Sequence, residues 1–241
     1  MGKERTEVPA LTICGETLIP DPGGALFWPA RKLLVFADLH LEKGSAFAER
    51  GVALPPYDSR ATLAAMAALC ARLQPQTVLC LGDSFHDSEA GARLGPEERA
   101  ALHALTGQHE WIWIGGNHDP VPPAGLGGQA MTAFDCGPLH FRHEPAPAPV
   151  EGEVAGHLHP CARLRLRGRT LRRRCFASDG RRLILPAFGA YTGGLDLHEG
   201  AFARLFASGP DAWMLTRNAV YRVTFDRLLP LKSANQGELT I

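Results

Sequence analysis

No apolar run in this chain approaches the ~20 residues a helix needs to cross a bilayer, and the N-terminal MGKERTEVPALTI lacks the apolar core of a signal peptide. A cytoplasmic protein with no membrane partner is expected. Net charge is missing too. The 25 basic residues balance 25 acidic ones, so any attraction to nucleic acid or lipid must be local. Six cysteines (Cys14, Cys70, Cys80, Cys136, Cys161, Cys175) show no C-x-x-C spacing, which argues against a zinc ribbon. Most sit in apolar runs, as buried free thiols do in a reducing compartment. Repeats and low-complexity tracts are absent. What remains is ordinary globular composition, 45% hydrophobic and 21% charged over 241 residues. One domain over 1–241 is expected.

Four short segments stand out: Asp38-Leu39-His40, Gly82-Asp83, Gly116-Asn117-His118-Asp119 and Gly156-His157-Leu158-His159. Each follows an apolar run of strand type, in KLLVFADLH, TVLCLGD, WIWIGGNHD and EVAGHLH. In layered α/β folds, ligand-binding groups collect past the carboxyl ends of strands. A lone Asp-x-His arises by chance. Four strand ends carrying Asp, His and Asn point to one cleft.

The surrounding pattern supports that architecture. Residues 11–36 read as short strands and hairpins. SRATLAAMAALCARL (59–73) reads as a helix capped by Asp58 or Ser59 and stopped by Pro75. PEERAALHALTG reads as a second helix, with Pro96 in its first turn and Gly107 at its end. With the strands between them these form a β-α-β-α-β run, which implies parallel strands and right-handed crossovers. PVPPAGLGG (120–128) reads as a surface loop near the site. After it come short strands of mostly antiparallel character, interrupted by one helical stretch near 198–206, and SANQGELTI reads as a frayed tail. Both halves supply site residues, so two facing sheets flanked by helices are expected, with the site at their seam.

The residue types suit phosphate ester hydrolysis by two cations, which neutralise phosphoryl oxygens and generate hydroxide at neutral pH. Asp83 is the natural bridging carboxylate. Asp38 and His40, at spacing two on a strand, share a face and suit the first ion, with His159. Asn117, His143 and His157 suit the second. Mixed nitrogen and oxygen ligands favour Mn²⁺, Fe or Zn²⁺ over Ca²⁺ or Mg²⁺, with Mn²⁺ preferred. His118, in a turn past WIWI, approaches the substrate to stabilise the transition state or protonate the leaving oxygen, oriented by Asp119. His140 and His143 compete for one role; at spacing three they face opposite ways, and His143 at the strand end is preferred. His86, three residues after Asp83, either reaches substrate or supports Asp83. His103, His109, His198 and Cys161 are read as having no role. PAFGAYTGG either brings backbone close to the site or is a plain turn.

These segments resemble the calcineurin-like metallophosphoesterases, whose pattern is D-x-H, G-D-x-x-[DH], G-N-H-[DE], a later histidine and G-H-x-H. The resemblance runs from Leu33 to His159 and implies a four-layer α/β/β/α sandwich of two mixed sheets with a dinuclear centre. Gly82-Asp83-Ser84-Phe85-His86-Asp87 departs from the version in protein phosphatases, which have Asp fourth and Arg after it. FADLHLEKG, LGDSFHD, GGNHD, FRHEP, GHLHP and LPAFGAYTGGLD together resemble the ligase-associated DNA damage response endonucleases, as far as Asp196. Those are bacterial Mn²⁺-dependent phosphodiesterases encoded near an ATP-dependent DNA ligase and a helicase. That resemblance implies DNA cleavage in repair and functional association with such a ligase and helicase; as the DNA partner, single strands are expected ahead of duplex.

Independent support for DNA is local. Residues 163–182 hold nine arginines against one acid, Asp179. Arg163, Arg165 and Arg167 alternate with Leu164 and Leu166, giving one basic strand face, and Gly168 turns the hairpin. Arg172, Arg173 and Arg174 are the expected DNA contacts. The competing reading is an edge hairpin whose charge deters aggregation. Two alternatives stand beside the nuclease: a small-molecule nucleotide phosphodiesterase or phosphomonoesterase using the same metals, and a non-catalytic scaffold. The scaffold requires broken ligands, and every expected ligand type is present.

Overall fold

In the computed structural model, residues 9–52, 54–55 and 57–230 are described. The first eight residues of the N-terminal segment and the SANQGELTI tail lie outside them. The chain runs β1 (Leu11–Ile13), β2 (Glu16–Pro20), β3 (Leu26–Trp28), β4 (Leu33–Phe36), α1 (Lys43–Glu49), α2 (Asp58–Leu73), β5 (Thr77–Leu81), α3 (Ala90–Arg93), α4 (Pro96–Gln108) and β6 (Glu110–Ile114). It continues with β7 (Gln129–Met131), β8 (Phe134–Cys136), β9 (Leu139–Arg142), β10 (Glu153–Ala155), β11 (Cys161–Leu166), β12 (Arg169–Ser178), β13 (Arg182–Ile184), α5 (Gly200–Leu205), β14 (Asp211–Leu215) and β15 (Val220–Val223).

Two mixed sheets result. The first has the order β1-β2-β3-β4-β5-β6-β7 and is parallel from β4 onward. The second has the order β15-β14-β12-β13-β10-β9-β8, with β11 on β12. Its centre departs from the antiparallel expectation: β10 lies parallel to both β9 and β13. Alternating side chains explain the stacking. In β5, Leu79 and Leu81 join the core between the sheets, with Phe141, Val154 and Phe176 from the second sheet. Val78 and Cys80 point the other way, under Leu63, Met66 and Leu102 of α2 and α4. On the far face of the second sheet, Ala177, Ile184 and Met214 pack with Phe202 of α5. The layers are therefore α/β/β/α, the last one thin. Each fully buried Leu or Phe contributes roughly 1.5–3 kcal/mol.

Several boundaries differ from the sequence expectation. Asp58 and Ser59 make no cap on α2. Asp58 Oδ2 accepts from Gly44 N at 2.8 Å, while Ser59 Oγ accepts from Glu42 N at 2.8 Å and donates to Glu42 Oε1 at 2.7 Å. These polar groups anchor the chain just past the first motif instead. Gly107 lies inside the last turn of α4. The short helices α1 and α3 have no counterpart in the sequence reading. The β11–β12 turn has Arg167 at φ +49° and Gly168 at φ +78°, the doubly positive geometry that matches strand twist in tight hairpins. Among the described residues no helix is long and apolar enough to cross a membrane.

Candidate metal centre

The four motifs lie just beyond β4, β5, β6 and β10, and the loops after these strands bring their side chains together. Two trios form, Asp38 with His40 and His159, and Asp83 with His143 and His157, all buried or half-buried. The way they meet differs from the expected one. Asp38 and His40 are past the end of β4, at φ +53° and +45°, and His157 and His159 are past β10, at φ +68° and +47°. They share a side through alternate left-handed residues, not through strand pleating. Asp83 is also left-handed, at φ +46°. Such backbone costs about 1–3 kcal/mol per residue and persists where surroundings overdetermine it, typically at functional sites.

In the first trio, His159 Nε2 lies 3.3 Å from Asp38 Oδ1 and 3.4 Å from His40 Nε2. In the second, His143 Nε2 is 3.0 Å from Asn117 Oδ1, 3.2 Å from His157 Nδ1 and 3.4 Å from Asp83 Oδ1. Asp83 faces both trios, with Oδ2 3.9 Å from His40 Nε2. Main chain fixes the carboxylates: His157 N donates to Asp38 Oδ2 at 3.0 Å and His118 N to Asp83 Oδ1 at 2.9 Å. The Leu81 carbonyl, 3.1 Å from His143 Nδ1, turns Nε2 toward the other ligands. At Gly82 (φ +77°) a Cβ would sit 2.2 Å from His143 Nδ1, so only glycine allows this approach.

His118 is half-exposed, its Nε2 4.0 Å from Asp83 Oδ2. Its Nδ1 meets the His86 carbonyl at 2.9 Å, and its ring stacks on that of His86 at 5.5 Å. Asp119 does not orient it. The Asp119 carboxylate is buried and accepts from Phe85 N at 3.0 Å, so the orienting group is the His86 main chain. Burial pushes the Asp119 carboxyl up to about 7, with the nearby Asp83 charge adding to the effect. His140 sits on the surface, 2.8 Å from Asp135 Oδ1 and apart from the trios.

Residues 31–172, more than half the chain, match the calcineurin-like phosphoesterase family. The chain belongs to that family. Comparison with curated proteins gave no match. Among solved structures, the nuclease MPE of Pseudomonas putida is 28% identical, with a TM-score of 0.69 over 90% of this chain and 100% of that one. Yfce, a phosphoesterase from E. coli, is 14% identical, with a TM-score of 0.42 over 80% of this chain and 98% of its own.

As a calcineurin-like phosphoesterase the chain is a metal-dependent hydrolase of phosphoric esters. Its donor set fits divalent cations. The oxygens of Asp38, Asp83 and Asn117 are acceptors only, and they crowd imidazole nitrogens at 3.0–3.4 Å. Lone pairs this close need a positive charge between them. Without a metal ion a proton fills that role. Burial would lower the His143 pKa, but the hydrogen bond to Asp83 and the charges of Asp38 and Asp83 outweigh it and raise it to about 9. Burial also acts on Asp83, yet His143 holds it down at about 2. A cleft of about 210 Å³ opens beside Asn117 and His143.

The arginines divide by strand face. β11–β12 register puts Arg172 and Arg174 on the side of Cys161 and Arg163, and Arg173 on the other. Arg163 is taken by Asp196 at 2.9 Å. The Gly-rich loop does approach the site: Phe188 N donates to Ala37 O at 2.8 Å and Gly189 N to Asp38 O at 3.2 Å. The Leu81 and His86 carbonyls were not foreseen, because a main-chain group leaves no mark in a sequence.

Proposed function

We propose that this protein is a Mn²⁺-dependent endonuclease that cuts DNA phosphodiester bonds, single strands ahead of duplex, in bacterial DNA repair alongside an ATP-dependent ligase and a helicase. The observation that carries the reading is a complete two-trio centre on a chain that aligns over 90% of its length with a nuclease. Intact ligand sets disfavour a scaffold. Asp38, His40 and His159 would hold one cation and Asn117, His143 and His157 the other, with Asp83 facing both trios. When bound, such a pair neutralises phosphoryl oxygens and supplies hydroxide at neutral pH. The chain's own residues do the rest. Nδ1 of His118 donates to the His86 carbonyl, which leaves Nε2 aimed at the centre. In its protonated form Nε2–H stabilises charge on the phosphoryl group and delivers a proton to the leaving oxygen.

Incubation with Mn²⁺ and circular single-stranded DNA tests this, with Asp83→Ala as control. A circle has no ends, so linearisation by the wild type alone establishes endonuclease action. A circle left intact, with small diesters hydrolysed, would transfer the activity to small-molecule substrates. Metal analysis of the same samples is expected to give two ions per wild-type chain and fewer in Asp83→Ala.

A further inference from the structure

We propose that a second cavity, beside the metal centre, binds a backbone phosphate of the substrate strand away from the bond being cut. The proposal rests on the nuclease reading above. The cavity, about 460 Å³, lies between the β11–β12 hairpin, the β14–β15 turn and the 187–194 loop. Arg172, Arg174 and Arg217 line it, Arg173 borders it from the other strand face, and no acid lines it.

Some arginines elsewhere have carboxylate partners, Arg163 with Asp196, Arg182 with Glu153 and Arg222 with Asp211, while Arg165, Arg167 and Arg169 at the exposed end of the hairpin pair with none but line no cavity with Arg217. Among the described residues the four at the cavity also have none. Asp21, next to the lining residues Pro22 and Gly23, is occupied by Arg72 and by Gly23 N. The cavity is therefore an uncompensated concentration of positive charge on a chain whose net charge is zero.

Its arginines are also preset. Arg172 Nη2 donates to Gly194 O at 2.5 Å, and Arg174 Nη1 to Ala187 O at 2.6 Å. Each guanidinium carries five N–H donors, so several remain for a ligand. A planar fork held in place suits the paired oxygens of a phosphate better than a mobile ammonium would. An edge strand defended by charge explains part of the hairpin but not Arg217. That residue comes from a different turn and converges on the same space.

Position connects the cavity to the reaction. The carbonyls that hold Arg174 belong to Ala187 and Phe188, and Phe188 and Gly189 donate to Ala37 and Asp38. At the loop's other end, a Cβ on Gly194 would meet the His159 carbonyl at 2.2 Å. One loop thus has the metal ligands on one side and the arginines on the other. A strand crossing it places one phosphate at the metals and a neighbouring phosphate in the cavity.

The test uses Arg172→Ala, Arg217→Ala and the double variant. Both side chains are exposed and neither belongs to the metal centre, so folding is not at stake. With Mn²⁺ loaded, KM and kcat are measured on single-stranded oligonucleotides of increasing length and on bis-p-nitrophenyl phosphate. The expected result is a KM about tenfold higher per lost contact on long oligonucleotides, with the small diester unchanged. The wild type's gain in affinity with length disappears in the double variant. The slope of log affinity against log salt falls by about 0.7 per lost phosphate contact. Variants matching the wild type on long oligonucleotides overturn the proposal, as does equal loss on both substrates. A wild type that hydrolyses the small diester but no DNA overturns the nuclease reading itself, so the two failures are distinguishable.

Discussion

At the scale of single residues, His143 is where proton and cation compete. Its imidazole meets three other candidate ligands, Asn117, His157 and Asp83, within 3.4 Å. The metal-free protein holds a proton there up to about 9, against an ordinary 6.5. A pKa raised by folding contributes stability that is full below 6.5 and is lost as pH rises through 9. Metal occupancy runs the opposite way, because the ion must displace that proton. Mn²⁺ affinity at the second trio is therefore expected to climb up to about tenfold per pH unit until the pH reaches about 9. Calorimetric titrations in buffers of different ionisation enthalpy count the released proton. An affinity flat across that range would remove His143 from the ligand set.

At the scale of elements, the segment after His143 is clamped by a buried ion pair. Arg182 Nε lies 2.6 Å from Glu153 Oε2, both residues almost wholly buried. Glu153 Oε1 accepts from Ala146 N at 2.7 Å, and Arg182 donates to the Ala146 carbonyl at 2.9 Å. Removing one partner strands a buried charge, which costs about 3–5 kcal/mol. Glu153→Ala should therefore lower the melting temperature by roughly 10 °C. Glu151→Ala, which breaks an exposed pair with Arg181, should change it by no more than a degree or two. Similar melting shifts in the two variants would contradict this account. The elements that carry the motifs were legible in sequence because Leu79 and Val78, or Ile112 and Trp111, alternate between two cores. Left-handed Asp38, His40, His157 and His159 were not, since their spacing of two imitates a strand. Asp58 and Ser59 looked like caps because their side chains suit capping, and only tertiary contact shows that Gly44 and Glu42 claim them.

At the scale of the whole molecule, the central core draws on both halves of the chain. Leu11, Leu33 and Ile112 pack in the same cluster as Phe141, Leu183 and Trp213. Among the described residues neither sheet has another cover for that face, so the two should unfold together, as one domain. Metal-free calorimetry is expected to show a single transition whose van't Hoff and calorimetric enthalpies agree. Two resolved transitions would divide the chain into separate units. The same interlocking makes the site legible as a set of motifs but not as a shape. The letters of Asp38 through His159 name the candidate ligands, while the arginine cavity depends on Arg217, far along the chain, meeting Arg172.

The place of β10 in its sheet has a consequence for synthesis. This strand leads into His157 and His159, and it is seated between β9, already made, and β13, which ends at Ile184. A nascent chain thus carries every candidate metal ligand before it owns the strand that pairs with β10 on its far side. The trios are therefore expected to close only after residues through Ile184 have left the ribosome.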